Sequence, residues 1–180
     1  MDFGLSEAQE MLKAMARDFL ERECPVSLVR EMEEDERGYS PELWQKMAEL
    51  GWLGLVFPEE YGGGGDFLDL TVLLEEMGRS LVPGPFVSTV VLSGLPILAA
   101  GTAEQKHNFL PKIAKGEAIL TMALTEPSAC YSAEGIETRG IPGKGDYIIS
   151  GTKLFVPDAH IAQHFICVVK TEGGITLVLT

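Results

Sequence analysis

Residues 116–127, GEAILTMALTEP, mark the point at which the pattern of the sequence changes. Before this segment, apolar residues recur every three or four positions, which is the period of amphipathic helices. Within residues 119–125 two sets of side chains alternate, which is the period of a β-strand. The segment therefore predicts an α+β fold, with an N-terminal all-helical domain (residues 1–116) followed by an incomplete antiparallel β domain (residues 117–180).

Start and stop signals delimit the predicted helices. Ser6 with Gln9, and Thr102 with Gln105, have the spacing of a capping box, in which two side chains satisfy free backbone N–H groups. Pro111 lies inside the last helical pattern. Because proline lacks an N–H and its ring crowds the preceding turn, it predicts a bend or a break there.

The four consecutive glycines at residues 62–65 are the strongest break in the helical part. A functional interpretation would be a loop that cradles phosphate groups. No strand leads clearly into the run, and no Lys-Ser or Lys-Thr pair follows it, so the context of a P-loop is missing. The run therefore favours a flexible or tightly turned connector, with Asp66 as the N-cap of the next helix.

The β part is predicted from short apolar runs separated by turn residues. The strands predicted after the first are residues 136–141, 147–150, 153–156, 164–170 and 175–180. Only 64 residues follow residue 116, which is few for a complete barrel or sandwich. The last strand would also have an unpaired edge. The β domain is therefore expected to be unfinished, either because the chain is cut or because another chain completes it.

Charge and composition exclude several classes of partner. The 180 residues carry 27 acidic and 14 basic side chains, a net charge of −13, which repels nucleic acid and anionic lipid. No run of 18 apolar residues is present, and the N-terminus lacks the pattern of a secretory signal. The cysteines, Cys24, Cys130 and Cys167, form no metal or disulfide pattern. These features predict a cytoplasmic protein with reduced thiols.

Spacing alone assembles no catalytic constellation. His160 and His164 are four residues apart, but a strand start lies between them and no third ligand is near, so a metal site is disfavoured. Glu126 is an acid in an apolar, strand-to-turn context. It either has a function or accepts hydrogen bonds from nearby backbone. Thr125 stands at the end of the predicted strand, where its hydroxyl and the adjacent backbone N–H groups are available to a polar, planar ligand.

Several ordered motifs carry a resemblance to a known family. The motifs are FGLSEAQ (residues 3–9), LGWLGL (50–55), PEEYGG (58–63), GTAEQK (101–106), ALTEP (123–127) and GTK (151–153). Together they make the chain resemble the N-terminal part of the acyl-CoA dehydrogenase family of flavoproteins. The resemblance covers essentially the whole chain, and the order of the motifs makes it more specific than any one of them.

The resemblance implies an enzyme that performs FAD-dependent α,β-dehydrogenation of an acyl-CoA thioester. In this family a helical domain packs on a middle β domain, and a C-terminal helical domain follows, which is absent from these 180 residues. The catalytic base of the family lies in that domain, so no catalytic residue is expected in this chain, which should be inactive alone. The implied partners are an acyl-CoA substrate, an acceptor like electron-transfer flavoprotein, and further subunits in a homo- or hetero-oligomer.

The resemblance also implies a set of site residues. The residues expected at the cofactor are Met122, Leu124, Thr125, Cys130, Tyr131, Phe155, Val156 and Pro157. Thr125 would lie near the pyrimidine edge of the flavin, Phe155 would pack against its ring system, and Tyr131 would also contact substrate.

The chain departs from the family pattern at two places in this site. Residues 130–132 are Cys-Tyr-Ser, where the family usually has Gly-Ser-Asp. Pro157 replaces a threonine whose hydroxyl reaches the flavin, and proline offers no hydrogen-bond donor. These departures indicate either a dehydrogenase with unusual acyl groups or a non-catalytic partner subunit that supplies an interface to a flavin-bearing homologue. A third alternative, an acidic helical binding module without a ligand, is disfavoured by the motifs of the β part.

Overall fold

Helices make up the first part of the chain in a computed structural model, which describes residues 4–128 and 132–180. The α-helices of these residues are α1 (Glu7–Glu23), α2 (Val26–Glu34), α3 (Pro41–Glu49), α4 (Phe67–Arg79), α5 (Leu95–Ala100) and α6 (Ala103–Ala114). Both predicted capping boxes are present, at Ser6–Gln9 and at Thr102–Gln105. Asp66 caps α4 as predicted, and its carboxylate accepts from the N–H groups of Leu68 and Asp69.

Large aromatic side chains form the core between these helices. Trp52 and Phe57 are almost completely buried, and Phe19 of α1 meets the Trp52 ring edge-on with 5.0 Å between ring centroids. The Trp44 indole of α3 donates a hydrogen bond to the carbonyl of Gly116 at 3.0 Å. The core therefore fixes the place at which the helical part ends and the β part begins.

Ion pairs join α1 to α4 along one side of this core. Glu76 is fully buried and accepts two hydrogen bonds from the Arg17 guanidinium, from Nε at 2.9 Å and from Nη2 at 2.7 Å. The hydrogen bonds from Arg17 lower the pKa of Glu76. A second pair, between Arg79 and Glu21, lies at the surface. The buried carboxylate thus has a bidentate partner, as a buried charge requires.

A π-helix, Val87–Gly94, leads into α5 and connects the helical part to the sheet. The Thr89 hydroxyl donates to the Leu120 carbonyl at 3.1 Å and accepts from the Leu120 N–H at 3.2 Å. Buried Ser88 and Ser93 lie in the same π-helix. This arrangement anchors the start of the first strand on the helical part.

The β part is a mixed sheet. Its strands are β1 (Leu120–Ala123), β2 (Arg139–Pro142), β3 (Tyr147–Ser150), β4 (His164–Thr171) and β5 (Gly174–Leu179). β4 is central, since β5 pairs along one of its edges while β1 and β2 pair with successive parts of the other. The predicted α+β fold, helices first and strands second, is confirmed.

The expectation that the sheet is purely antiparallel is wrong. β1 runs parallel to β4, with Leu120 opposite His164, and β2 is parallel to β4 at Arg139 and Lys170. Only the β2–β3 and β4–β5 pairs are antiparallel. The 40 residues between β1 and β4 return the chain to the start of β1 before β4 begins, as a parallel pair requires. Alternation in sequence reports which face is buried and carries no information about this direction.

One local expectation is also wrong, and one of the two alternatives given for Pro111 is excluded. Residues 153–156 were expected to form a strand but form an irregular segment, because their polar groups bond to the end of β1 instead of to a neighbouring strand. Of the bend or break expected at Pro111, the break does not occur, because α6 continues to Ala114. Leu110 and Ile113 beside it are wholly buried, and their burial offsets the one hydrogen bond that proline cannot make.

The glycine run is a tight, packed turn, in agreement with the connector interpretation. Gly62 ends a short 3-10 helix (Glu59–Tyr61) with a φ of +94°, in the left-handed region that favours glycine. Gly63 has no room for a Cβ, which would collide with the carbonyl oxygens of Phe57 and Gly54. Among residues 4–128 and 132–180, no helix combines the length and apolar character needed to cross a membrane.

Candidate functional site

The candidate site forms where the end of β1 meets the irregular segment at residues 153–158. The Leu154 N–H donates to the Thr125 carbonyl at 2.8 Å. The Lys153 ammonium donates to the Leu124 carbonyl at 3.1 Å. These bonds join the segment that carries Phe155 to the one that carries Thr125, although the two residues are 30 positions apart in sequence.

Glu126 ties a third segment to this junction. Its buried carboxylate accepts from the N–H groups of Glu137 at 2.7 Å and Thr138 at 3.0 Å, and from the Lys153 ammonium at 2.6 Å. Burial alone would raise the pKa of Glu126, but the hydrogen bonds from Lys153 and the 137–138 backbone lower it to about 2. Of the two interpretations given from sequence, backbone bonding is the one that the structure shows.

The segment that carries Phe155 has a strained backbone that its neighbours hold in place. Phe155 and Asp158 have φ values of +51° and +52°, which non-glycine residues rarely adopt. The Thr121 hydroxyl donates to the Pro157 carbonyl at 2.6 Å, and the Ser88 hydroxyl donates to the Asp158 carboxylate at 2.5 Å. Strain of this kind persists only where surrounding contacts fix the conformation, and it is frequent at ligand sites.

The side chains expected at the cofactor differ in exposure. Phe155 is 88% exposed, an unusual situation for a large aromatic residue. Leu124 is 39% exposed and Thr125 is half-buried. Met122 is half-buried and packs against the core. An apolar surface with one hydroxyl therefore lies at the junction.

Six of the residues expected from the family resemblance lie on the two chain segments that these hydrogen bonds join. Those six are Met122, Leu124, Thr125, Phe155, Val156 and Pro157. The other two, Cys130 and Tyr131, lie outside the described residues. Sequence reasoning missed Lys153, which it used only as part of a family motif, and Asp158, which no motif contained. The sequence did contain a signal for Lys153, because it is a lysine in an apolar run and Glu126 is an acid in an apolar context that could pair with it.

The remaining candidate ligands of the sequence lie apart from this junction. Within the described residues, no three His, Cys, Asp or Glu side chains are arranged to hold a metal ion. A ring nitrogen of His160 contacts the Arg37 carbonyl at 3.1 Å, and a ring nitrogen of His164 contacts the Thr180 carbonyl at 2.9 Å. Cys24 and Cys167 are free thiols, and burial raises the pKa of each.

Comparison with protein-family models covers nearly all of the chain. Residues 6–117 match the model of the acyl-CoA dehydrogenase N-terminal domain, and residues 121–180 match the model of the acyl-CoA dehydrogenase middle domain. The chain belongs to the acyl-CoA dehydrogenase family. The resemblance seen in the sequence motifs is thereby confirmed.

Individual acyl-CoA dehydrogenases and related reductases are similar to this chain over more than nine-tenths of its length. It is 34% identical to the probable acyl-CoA dehydrogenase YngJ of Bacillus subtilis, over 95% of this chain and 45% of that protein. It is also 34% identical to the caffeyl-CoA reductase-Etf complex subunit CarC of Acetobacterium woodii, over 93% of this chain and 45% of that subunit.

A solved structure supports the same relationship. The glutaryl-CoA dehydrogenase of Mycobacterium smegmatis, crystallised in complex with FADH2, superposes with a TM-score of 0.85. It is 26% identical in sequence, and the match covers 98% of this chain and 46% of that one. The chain thus spans less than half the length of these relatives.

The junction has the chemistry that a flavin requires. A flavin is a flat aromatic ring system with hydrogen-bonding groups along one edge, so it needs apolar contact on a face and polar partners at its rim. Phe155 and Leu124 supply exposed apolar surface, and the Thr125 hydroxyl can donate and accept. Pro157 lacks an N–H and supplies no such donor. Among the described residues, the apolar side chains and the hydroxyl at the end of β1 and at Phe155 are therefore compatible with FAD, whereas Pro157 offers it no hydrogen bond.

Proposed function

We propose that this chain is part of an FAD-dependent enzyme that introduces an α,β double bond into an acyl-CoA thioester. The single observation that carries the proposal is the junction itself, at which an exposed Phe155 is held in a strained conformation on a segment bonded to Thr125. The family membership and the dehydrogenase and reductase names of its relatives support the reaction class. We also propose that residues 1–116 and 117–180 are separate domains.

The proposed roles follow from what each side chain offers. Thr125 forms a hydrogen bond with the edge of the flavin, and Phe155 covers part of its ring system and excludes water there. The apolar contacts come from Met122, Leu124 and Val156. When bound, FAD supplies the oxidant that accepts a hydride from the substrate. Pro157 contributes shape only, since its carbonyl already accepts from the Thr121 hydroxyl.

We also propose the partners of this enzyme. The substrate is an acyl-CoA, and the electron acceptor is a protein like electron-transfer flavoprotein, as the name of the Acetobacterium woodii relative indicates for that subunit. Contacts of Cys130 with cofactor and of Tyr131 with cofactor and substrate remain predictions. We further propose a cytoplasmic homo- or hetero-oligomer in which the catalytic base belongs to the C-terminal domain of the family.

Native mass spectrometry and absorption spectroscopy of the intact protein, purified from its own source, test the function. The expected result is bound FAD, a yellow solution, and bleaching of the flavin absorbance when an acyl-CoA is added. A colourless protein bound to a larger, flavin-bearing homologue would contradict the proposal and support a non-catalytic partner subunit.

Removing the hydroxyl of Thr125 is expected to weaken flavin binding. In Thr125→Val of the intact protein the edge of the flavin loses one hydrogen bond, and the Kd for FAD should rise about tenfold, corresponding to about 1.4 kcal/mol. Fluorescence titration of the flavin-free protein with FAD measures this Kd. Thr71→Val, an exposed threonine of α4, serves as the control and should leave the Kd unchanged. Equal Kd values for the two variants would contradict the role of Thr125.

Removing the ring of Phe155 is expected to affect flavin binding without affecting the fold. Because the side chain is 88% exposed, Phe155→Ala should change the free energy of unfolding by less than about 0.5 kcal/mol. The Kd for FAD should rise about tenfold or more, because burial of an aromatic ring contributes about 1.5–3 kcal/mol.

Leu81→Ala is the matched control for this variant. Leu81 is also exposed, at 65%, and also has a positive φ, +53°, but it lies in the helical part. Its replacement should leave the Kd for FAD unchanged. If Phe155→Ala binds FAD as tightly as Leu81→Ala does, the ring does not contact the cofactor.

A further inference from the structure

Lys153 and Glu126 form an ion pair that is almost completely removed from solvent. The side chains are 9% and 3% exposed, and Lys153 Nζ lies 2.6 Å from Glu126 Oε1. The same ammonium donates to the Leu124 carbonyl at 3.1 Å. The other bonds to the carboxylate come from the backbone N–H groups of Glu137 and Thr138. Three chain segments therefore meet at one pair of charges.

A pair of this kind is weak evidence for a role in stability. Desolvation of two charges costs about as much as their attraction returns, so apolar residues of similar volume often replace buried pairs without loss of stability. What a buried pair with directed hydrogen bonds supplies is a fixed geometry, because each donor must stay aligned with its acceptor.

The pair lies next to both walls of the proposed flavin site. Glu126 directly follows Thr125, and Lys153 precedes Phe155 by two residues. Between them the Leu154 N–H bonds to the Thr125 carbonyl at 2.8 Å. The bonds of Lys153 and this backbone bond therefore tie the segment that carries Phe155 to the segment that carries Thr125.

We propose that Lys153, through its ion pair with Glu126, is a positioning residue that sets the separation between Thr125 and Phe155 and so the fit of the flavin between them. The proposal rests on the proposed function. Lys153 does not touch the cofactor and acts through the two residues that do. Lys153 is suited to this because its N–H donors reach the Leu124 carbonyl and the Glu126 carboxylate, which lie on either side of Thr125.

The experiment compares variants of the intact protein in three measurements. The Kd for FAD, the visible circular dichroism of the bound flavin, and hydrogen exchange at the Leu154 amide in the flavin-free protein are recorded for each. Lys153→Met is expected to raise the Kd at least tenfold, to change the circular dichroism band, and to accelerate exchange. Lys153→Arg retains the charge and the donors, and is expected to bind FAD within about threefold of the wild type.

Two further variants separate positioning from stability. Lys153→Met with Glu126→Gln leaves no unpaired buried charge, so it should fold even where the single variant does not, and should still show the raised Kd. Glu76→Ala removes a buried carboxylate in the helical part, and measured below its unfolding transition it should keep the wild-type Kd and spectrum.

Several results would overturn the proposal. A double variant with the wild-type Kd, circular dichroism and amide exchange would show that the pair does not set the site. An equal rise of the Kd in Glu76→Ala would show that loss of stability alone weakens binding. A wild-type protein without any affinity for FAD would refute the proposed function and this proposal with it. This failure is distinguishable from failure of the positioning role alone, because it is seen in the wild type before any substitution is made.

Discussion

Gly63→Ala is expected to lower the free energy of unfolding by about 3 kcal/mol or more. A Cβ at this position would overlap the carbonyl oxygens of Phe57 and Gly54, and both are backbone atoms that cannot rotate away. Phe57 is fully buried, so movement of its backbone would also disturb the aromatic core. Chemical denaturation, followed by far-ultraviolet circular dichroism, measures the change.

Gly78→Ala provides the matched control for this prediction. Gly78 lies in α4, and a Cβ there would meet no atom within 4 Å. Because alanine has the higher helix propensity, this variant should be as stable as the wild type or more stable by up to about 1 kcal/mol. Equal stability of Gly63→Ala and Gly78→Ala would contradict the packed turn and would favour a flexible connector at the glycine run.

Glu76→Ala is expected to have the second largest effect, a loss of about 2 kcal/mol in the free energy of unfolding at neutral pH, because two charge-assisted hydrogen bonds are lost while Arg17 stays partly in water. The carboxylate is fully buried and bonded twice by Arg17, and its removal leaves an unfilled space and breaks one of the ion pairs between α1 and α4. Thermal and chemical unfolding at pH 7 measure it. Glu21→Ala, which breaks the exposed pair with Arg79, should have no measurable effect.

The dependence on pH gives this prediction a second test. Hydrogen bonds from Arg17 lower the pKa of Glu76 in the folded state, and Lys13 and Arg79 add in the same direction against burial. The contribution of Glu76 is therefore present above its unfolded pKa of 4.5 and is lost as the pH falls below that value. Glu76→Ala should lack this part of the acid destabilisation. An unchanged acid profile would contradict the pairing with Arg17.

Local chemistry explains which elements could be predicted. The capping boxes at Ser6–Gln9 and Thr102–Gln105 involve residues three positions apart, so their bonds are decided within one helical turn. The change from helix to strand between Ala114 and Leu120 follows from a change of hydrophobic period and was visible for the same reason. The family resemblance, and not local chemistry, assigned Thr125 and Phe155 to one cofactor site, and this assignment stays a prediction.

Long-range bonds explain what could not be predicted. Residues 153–156 have the composition of a strand, yet the donors of Lys153 and Leu154 find acceptors on Leu124, Thr125 and Glu126, about 30 residues away. The intrinsic strand propensity of these residues contributes less free energy than a buried ion pair and the backbone hydrogen bonds beside it. The parallel pairing of β1 with β4 likewise depends on the path of the intervening chain, which no local pattern encodes.

The amino-acid sequence was enough to determine the helical and β parts, the helix caps, the family and the acidic character, because each is encoded in neighbouring residues or in composition. The folded chain was needed to define the site. It bonded the segment of the exposed, strained Phe155 to Thr125, gave Glu126 its partners, and left no room for a Cβ at Gly63. The physical reason is distance along the chain: those contacts join residues that come together only when the sheet and the helices are assembled.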